Sequence, residues 1–412
     1  MITLRPHQTR ALAAMHDADH GQVIVPTGGG KTIIMIEHVK QLLAHGNRTI
    51  VVVAPRILLA SQLCEEFMEH ISSSWVHVCH AHSGETRFFK STNPDKIALF
   101  NNTARAADES CIIFTTYHSL PKIVDSGIDI SAVYFDEAHN ACTKHFFIAV
   151  AAMSMIADRK YFFTATPRIS NKHDRGMNNQ EVFGPVIQNV PAPELIEGGH
   201  ILRPTIVPFE TDHEVDKKNP HLVHSNTVQD VIDNLDETHA AKVLVAVPSS
   251  KVLGNILGHT DLLSQLKDRG YDVLHVTSKF GAYVNDKKVS REIFFETLTE
   301  WGKEEGRKFV LFHYSILSEG INVPGLTHCI LLRNLNVVEM AQTIGRVIRL
   351  DRRDATNLAS GSVSPCDWSL YHKPTGYVTV PVHRNYGAAV IKRLQRVTDE
   401  IFVKGVPATA LV

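Results

Sequence analysis

Short runs of consecutive apolar residues recur along this chain, and they restrict its fold more than any other feature. In the first half they are Gln22–Val25, Thr49–Val53, Cys111–Thr115, Val133–Phe135 and Tyr161–Thr164. In the second half they are Lys242–Val247, Asp272–Val276, Phe309–His313 and His328–Leu332. A strand that is apolar at successive rather than alternate positions has no face for water, so both of its faces must be covered. Longer stretches with helical spacing separate the runs. After the first run, Ile33, Ile34, Ile36, Val39, Leu42 and Leu43 mark one face of a helix that Gly46 is placed to end. The alternation predicts an α/β fold whose mostly parallel sheets are covered by helices.

The rhythm breaks between about Ile169 and Ala240, where the chain turns polar and carries Pro185, Pro191, Pro193, Pro204, Pro208 and Pro220. The expected organisation is therefore a first domain over 1–195, a hinge over 196–240 and a second domain over 241–412. Beyond Leu350 the pattern suggests a hairpin at Tyr377–Val382 and a last helix from about Ala388 to Phe402. At 412 residues the chain is long enough for two cores, and 44% hydrophobic with 21% charged residues is an ordinary globular composition. Lys plus Arg number 42 against 43 Asp plus Glu, a net charge of −1, which excludes a basic coat; a nucleic-acid partner would have to be met in a local groove. Cys64, Cys79, Cys111, Cys142, Cys329 and Cys366 are scattered without a C-x-x-C pair, so neither a disulfide framework nor a zinc site is expected. No apolar run approaches the ~18 residues of a membrane span, and Arg5, His7 and Arg10 precede no secretory core. These features suggest a soluble, intracellular (cytoplasmic) protein with no membrane partner, a virus- or phage-encoded chain included.

Val25-Pro26-Thr27-Gly28-Gly29-Gly30-Lys31-Thr32 joins the first buried strand to the first helix. Consecutive glycines let backbone N–H groups close around phosphate oxygens, and the helix N-terminus adds its positive field. Lys31 is placed to reach the β- and γ-phosphates and Thr32 to hold Mg²⁺. Val25 stands where the strict phosphate-loop pattern has its first glycine, so the loop is a variant form. Val133–Phe135 runs into Asp136-Glu137-Ala138-His139. A carboxylate at a strand end beside a phosphate loop suits the second Mg²⁺ anchor, Asp136, while Glu137 would orient the attacking water or take its proton.

With these residues in place the chain resembles the superfamily 2 helicases of the DEAH-box (DExH) type over nearly its whole length. Pro26–Thr32, Asp136–His139, Thr164-Ala165-Thr166 and Gln342–Arg349 occur in the order of motifs I, II, III and VI. Leu4–Gln8 is similar to the segment that reads adenine, through Arg5 and Gln8. Ala54-Pro55-Arg56, Thr115-Thr116-Tyr117 and Ser318–Pro324 resemble motifs Ia, Ic and V. Phe183–Val186 with Glu194–Gly199 is similar to the subgroup of type III restriction motor subunits and UvsW-type phage helicases. The resemblance implies two tandem RecA-like domains, with ATP and Mg²⁺ held by Pro26, Thr27, Gly28, Gly29, Gly30, Lys31, Thr32 and Asp136. Lys31, Asp136, Glu137, His139, Gln342, Arg346 and Arg349 would be catalytic, Thr164 and Thr166 would couple hydrolysis to movement, and Gly320 and Asn322 would meet the ribose. Asn322 stands where many members carry Asp.

A phosphate loop and an acidic strand end bind ATP but cleave it poorly, because the charge that spreads over the γ-phosphoryl oxygens needs a further cation, worth ~10³–10⁵ in rate. Arg346 and Arg349 lie three apart on a helix that Gln342 is expected to begin, and in the family both reach the phosphates, with Gln342 near His139 and the water. Arg352 and Arg353 read as an exposed basic face. The resemblance also implies a strand track over Pro55, Arg56, Ser83, Gly84, Thr115, Thr116, Ser249, Ser250 and Ser318, made of contacts that carry no sequence information. Any one of these is equally a turn residue, and Tyr117 reads more readily as core than as a base-stacking ring. His77-Val78-Cys79-His80-Ala81-His82 imitates a metal cluster, but a strand divides its ligands between two faces, so structural histidines are expected.

The function expected is an ATP-dependent DNA helicase or translocase moving 3′→5′, on single-stranded, branched or duplex DNA. RNA as the partner, the motor subunit of a restriction complex with its nuclease on a separate chain, and a nucleotide switch with no motor activity stay open as alternatives. Arginines supplied from within the chain argue against the switch. Protein partners are left open.

Overall fold

Strands without a polar face need helices on both sides, and the chain supplies them twice. The computed structural model describes residues 3–71, 74–172, 174–214, 216, 218–235, 241–277, 279–314, 323–383 and 388–412. Ser318, Gly320 and Asn322 lie outside the described residues. The chain divides into two units, 1–191 with 407–412, and 192–406.

Unit 1 contains β1 (His20–Ile24), β2 (Thr49–Ala54), β3 (Val76–Ala81), β4 (Phe89–Lys90), β5 (Ser110–Thr116), β6 (Ile130–Phe135), β7 (Ala157–Thr164), β8 (Arg168–Ile169) and β9 (Val186–Asn189). Its sheet runs β4-β3-β5-β2-β6-β7-β1-β9, and every neighbouring pair is parallel. β2 and β5 are buried at every position, as their composition requires. Val51, Val53, Ile113, Val133, Phe135 and Phe162 form part of the core beside this sheet, with the Phe135 and Phe162 rings stacked at 4.6 Å. The helix Lys31–Leu43 buries Ile34, Ile36, Val39 and Leu43, while Ile33 and Leu42 stay partly exposed; the chain turns at Gly46 with φ +74°. Because β6, β7 and β1 are neighbours, Asp136, Thr164 and the glycine loop leave adjacent carboxyl ends of one sheet, where ligands of open α/β sheets sit.

Unit 2 contains β10 (Pro204–Thr211), β11 (Lys242–Ala246), β12 (Asp272–Thr277), β13 (Gly281–Val284), β14 (Lys287–Val289), β15 (Phe309–His313), β16 (His328–Leu331) and β17 (Gly376–His383), in the order β10-β17-β16-β11-β15-β12-β13-β14. The first six in that order are parallel, and β13 and β14 add an antiparallel edge.

The described residues of the stretch expected as a hinge, 196–240, belong to unit 2. β10 pairs with β17 from Pro204↔Gly376 to Thr211↔His383, and the helix Pro220–Asp233 packs Val228, Val231 and Ile232 into the core. Its prolines misled because β10 is an edge strand, where a missing N–H costs no ladder bond. The hairpin expected at Tyr377–Val382 is instead one parallel strand, β17, in which Pro381 lies beyond the ladder to β16 and does not reverse the chain. The last helix spans Ala388–Thr398 and continues as a wider π turn over Asp399–Val403. Residues 407–412 belong to unit 1 rather than to the second domain, where β18 (Ala410–Leu411) pairs with β8. Among the described residues no helix is long and apolar enough to cross a membrane.

Candidate active site

The glycine loop takes its shape from left-handed backbone at Gly28 (φ +88°) and Gly30 (φ +79°), a region that only glycine enters without cost. Gly30 is also the N-cap of the helix beginning at Lys31. Three side chains from the start of the chain hold the loop carbonyls: Arg5 Nη1 donates to Gly28 O at 3.4 Å, His7 Nε2 to Gly29 O at 2.7 Å and Gln8 Nε2 to Gly30 O at 3.4 Å. In a trans peptide the N–H points opposite to its carbonyl, so these bonds turn the Gly30 and Lys31 N–H groups away from the 5–8 segment. Gln8 itself is held by its Oε1, which accepts from Arg5 N at 2.9 Å. His7, buried and making the shortest of the three bonds, was not a sequence candidate; nothing in its neighbours distinguishes it from a core histidine.

Asp136 and Glu137 follow β6 directly and are both nearly buried. Tyr117, a core residue rather than a base-stacking ring, donates its hydroxyl to Asp136 O at 2.9 Å. Glu137 adopts φ +46°, a left-handed conformation that costs a non-glycine residue free energy and concentrates at functional sites. The turn puts its carboxylate 3.7 Å from Lys31 Nζ and 3.4 Å from His139 Nδ1. His139 Nδ1 is also 3.1 Å from Thr164 Oγ1 and 3.4 Å from Thr166 Oγ1, and Thr164 Oγ1 accepts from Thr166 N at 3.0 Å. The structure thus joins Lys31, Glu137, His139, Thr164 and Thr166 in one buried polar chain. Burial, then the negative charge of Glu137, pushes the Asp136 carboxyl up to about 7, with Lys31 opposing.

The expected strand track fares unevenly. Ser83 is exposed, with Gly84 and Arg56 half-buried, but Pro55, Thr115 and Thr116 are buried. Thr115 spends its hydroxyl on Ala81 O at 2.9 Å, and Thr116 Oγ1 donates to Ser119 Oγ at 3.4 Å, so neither side chain offers a surface contact. Ser249 caps the helix Ser250–His259 by accepting from Val252 N at 3.1 Å, and Ser250 is partly exposed. His80 and His82 hydrogen-bond each other at 2.8 Å while His77 pairs with Glu109, and the described residues contain no metal-holding cluster.

In unit 2 the helix carrying the arginines starts at Val337, capped by Asn336 with Glu339 completing the capping box. Gln342 therefore lies in mid-helix and does not begin it. Arg346 sits in the last turn and is buried, but the helix ends at Val347. Arg349 is not on the expected shared helix face: it forms an antiparallel bridge with Ile201, next to Leu202 N donating to Ile348 O at 2.7 Å. Arg352 and Arg353 are exposed, Arg353 pairing with Glu305 at 3.0 Å.

Residues 1–169 match the family model of the type III restriction enzyme, res subunit, and residues 226–351 that of the helicase conserved C-terminal domain. No curated protein sequence matches the chain. Among solved structures, the ATP-dependent Type ISP restriction-modification enzyme LlaBIII bound to DNA superposes with a TM-score of 0.73 at 14% identity, covering 100% of this chain and 31% of that one. A nuclease-deletion mutant of the Type ISP enzyme LlaGI, in complex with a DNA substrate mimic, gives 0.64 at 16% identity, covering 99% of this chain and 30% of that one. The likeness is one of fold, and it extends over less than a third of each enzyme.

Proposed function

This chain is a superfamily 2 helicase related to the type III restriction motor, built of two RecA-like domains, and from that premise we propose that it couples ATP hydrolysis to 3′→5′ movement on DNA. The observation that carries this reading is Glu137, turned by its left-handed backbone between Lys31 Nζ and His139 Nδ1. A carboxylate in that position can orient water or take its proton once the lysine is drawn to phosphate. The loop N–H groups and Lys31 bind the phosphates, and Arg5 and Gln8, already on the loop carbonyls, link that loop to the base-reading segment. Asp136 and Thr32 fit a divalent cation, because two nearly buried neighbouring carboxylates are only partly compensated by the single ammonium of Lys31. Mg²⁺ held there would neutralise charge on the β- and γ-phosphoryl oxygens. Arg346 and Arg349 supply the added cation for the transition state, with Gln342 near the water and Gly320 and Asn322 at the ribose. His139, bonded to Thr164 and Thr166, relays the state of the phosphate to the end of β7. DNA is preferred to RNA because both solved structures above hold DNA. Arg56, Ser83, Gly84, Ser249, Ser250 and Ser318 are the groups left to follow its backbone.

The test is ATP turnover with single-stranded, forked, four-way and linear duplex DNA and with RNA, together with strand displacement from 3′- and 5′-tailed duplexes. Stimulation by DNA, and displacement from the 3′ tail, are expected. Lys31→Ala and Glu137→Gln should each lower the stimulated rate by about 10²-fold or more; full activity in Glu137→Gln would remove that residue from the mechanism. Turnover indifferent to every nucleic acid would leave the nucleotide switch as the better account.

A further inference from the structure

Lys373 is 5% exposed, yet among the described residues its ammonium meets no carboxylate: Nζ donates to Leu326 O at 2.6 Å and to Arg349 O at 2.7 Å. Burial pushes this amine down to about 7, with Asp351 and Asp354 pulling the other way and Arg349 and Lys242 adding to the shift. Asp354, itself buried, fixes the lysine's backbone by accepting from Lys373 N at 2.9 Å and from His372 N at 2.7 Å. Two carbonyl bonds return less than burying an ammonium costs, so an apolar side chain of the same length would serve stability as well. What the lysine secures is place. Arg349 stands past the end of its helix, where no helical bond holds its carbonyl, and the isolated Ile201 bridge ties the same residue's backbone to the segment that leads into β10. We infer that Lys373 is a positioning residue for Arg349: gripping the carbonyl fixes the direction in which the guanidinium leaves the backbone, and the second bond ties it to Leu326, just after the motif V segment. The inference rests on the proposed ATPase, in which that guanidinium meets the phosphates.

A double-mutant cycle on the full chain tests it, with ATP turnover measured at saturating single-stranded and linear duplex DNA. Lys373→Met should lower kcat by about 10- to 100-fold with the KM for ATP within about twofold, because misplacing a charged group by an ångström costs that much. On an Arg349→Ala background the same substitution should cost nothing further. Unchanged kcat in Lys373→Met, or a loss that persists undiminished beside Arg349→Ala, would overturn the inference. If the methionine variant does not fold, Lys373→Gln, which keeps two N–H donors, enters the same cycle with the same criterion. Arg349→Ala alone turning over at the wild-type rate would sink the arginine reading itself, and the positioning role with it.

Discussion

Unit 1 holds Lys31 at the carboxyl ends of its parallel strands and unit 2 holds Arg349 beside the amino ends of β10 and β17, and the two are held differently. In unit 1 the charge sits in consecutive residues, with Lys31 following Gly30 at a helix N-terminus and Glu137 turned by its own backbone. In unit 2, Arg349 lies past the end of its helix and is held by partners far along the chain, Ile201 and Lys373. A locally built site is set by backbone geometry and tolerates distant change. A site hung from remote partners can be moved by residues that never approach the substrate, and that is the lesson of Lys373.

The largest expected effect separates the two modes. Arg349→Ala should lower kcat by about 10³-fold or more while nucleotide affinity changes little, since a finger acts in the transition state. If it weakens nucleotide binding as much as Lys31→Ala does, as read by titration with a fluorescent ATP analogue, the division of labour between the units is wrong.

Gly30→Ala attacks the local mode. A left-handed backbone costs a residue with a Cβ about 1–2 kcal/mol. The new Cβ would also stand 2.5 Å from Gln8 Nε2, so the bond to Gly30 O must break. Nucleotide affinity should fall about tenfold, and an unchanged dissociation constant would show that the loop does not need this shape.

Thr164→Val probes the chain between hydrolysis and the sheet. It removes the hydroxyl 3.1 Å from His139 and the acceptor for Thr166 N, bonds worth about 1 kcal/mol each. DNA stimulation should drop about fivefold with the unstimulated rate nearly intact. Equal loss in both rates would make Thr164 a packing residue.

The smallest effect concerns pH. Asp136, with its carboxyl raised to about 7 in the folded protein against about 3.9 in an unfolded chain, keeps its proton longer when folded. Stability of the nucleotide-free protein therefore falls as pH rises through that window. Asp136→Asn should melt about 2–4 °C above the wild type at pH 8, with the gap closing near pH 4. A constant gap across the range would remove the carboxyl from the account.

Much of this was readable beforehand, for definite reasons. β2, β5 and β15 each carry at least four consecutive apolar residues and are buried at every position, which leaves no alternative to double coverage. The glycine loop and Asp136–His139 were readable because strand, turn and helix follow within a few residues. β10 is not legible in this way, because Pro204 and Pro208 look like linker until the edge position is known, and β17 reads as a hairpin because its partners lie elsewhere in the chain. Thr115 reads from sequence as part of a surface track, although its hydroxyl is consumed inside.

Residue order alone determined which groups stand next to one another along the backbone, because dihedral freedom over a few residues is small enough for composition to decide. Only the tertiary structure decided which carbonyl the ammonium of Lys373 would find 24 residues away, and that His7 would hold the glycine loop. Such pairings are made when the core closes over a parallel sheet, whose neighbouring strands are distant in the chain, and no local pattern records them.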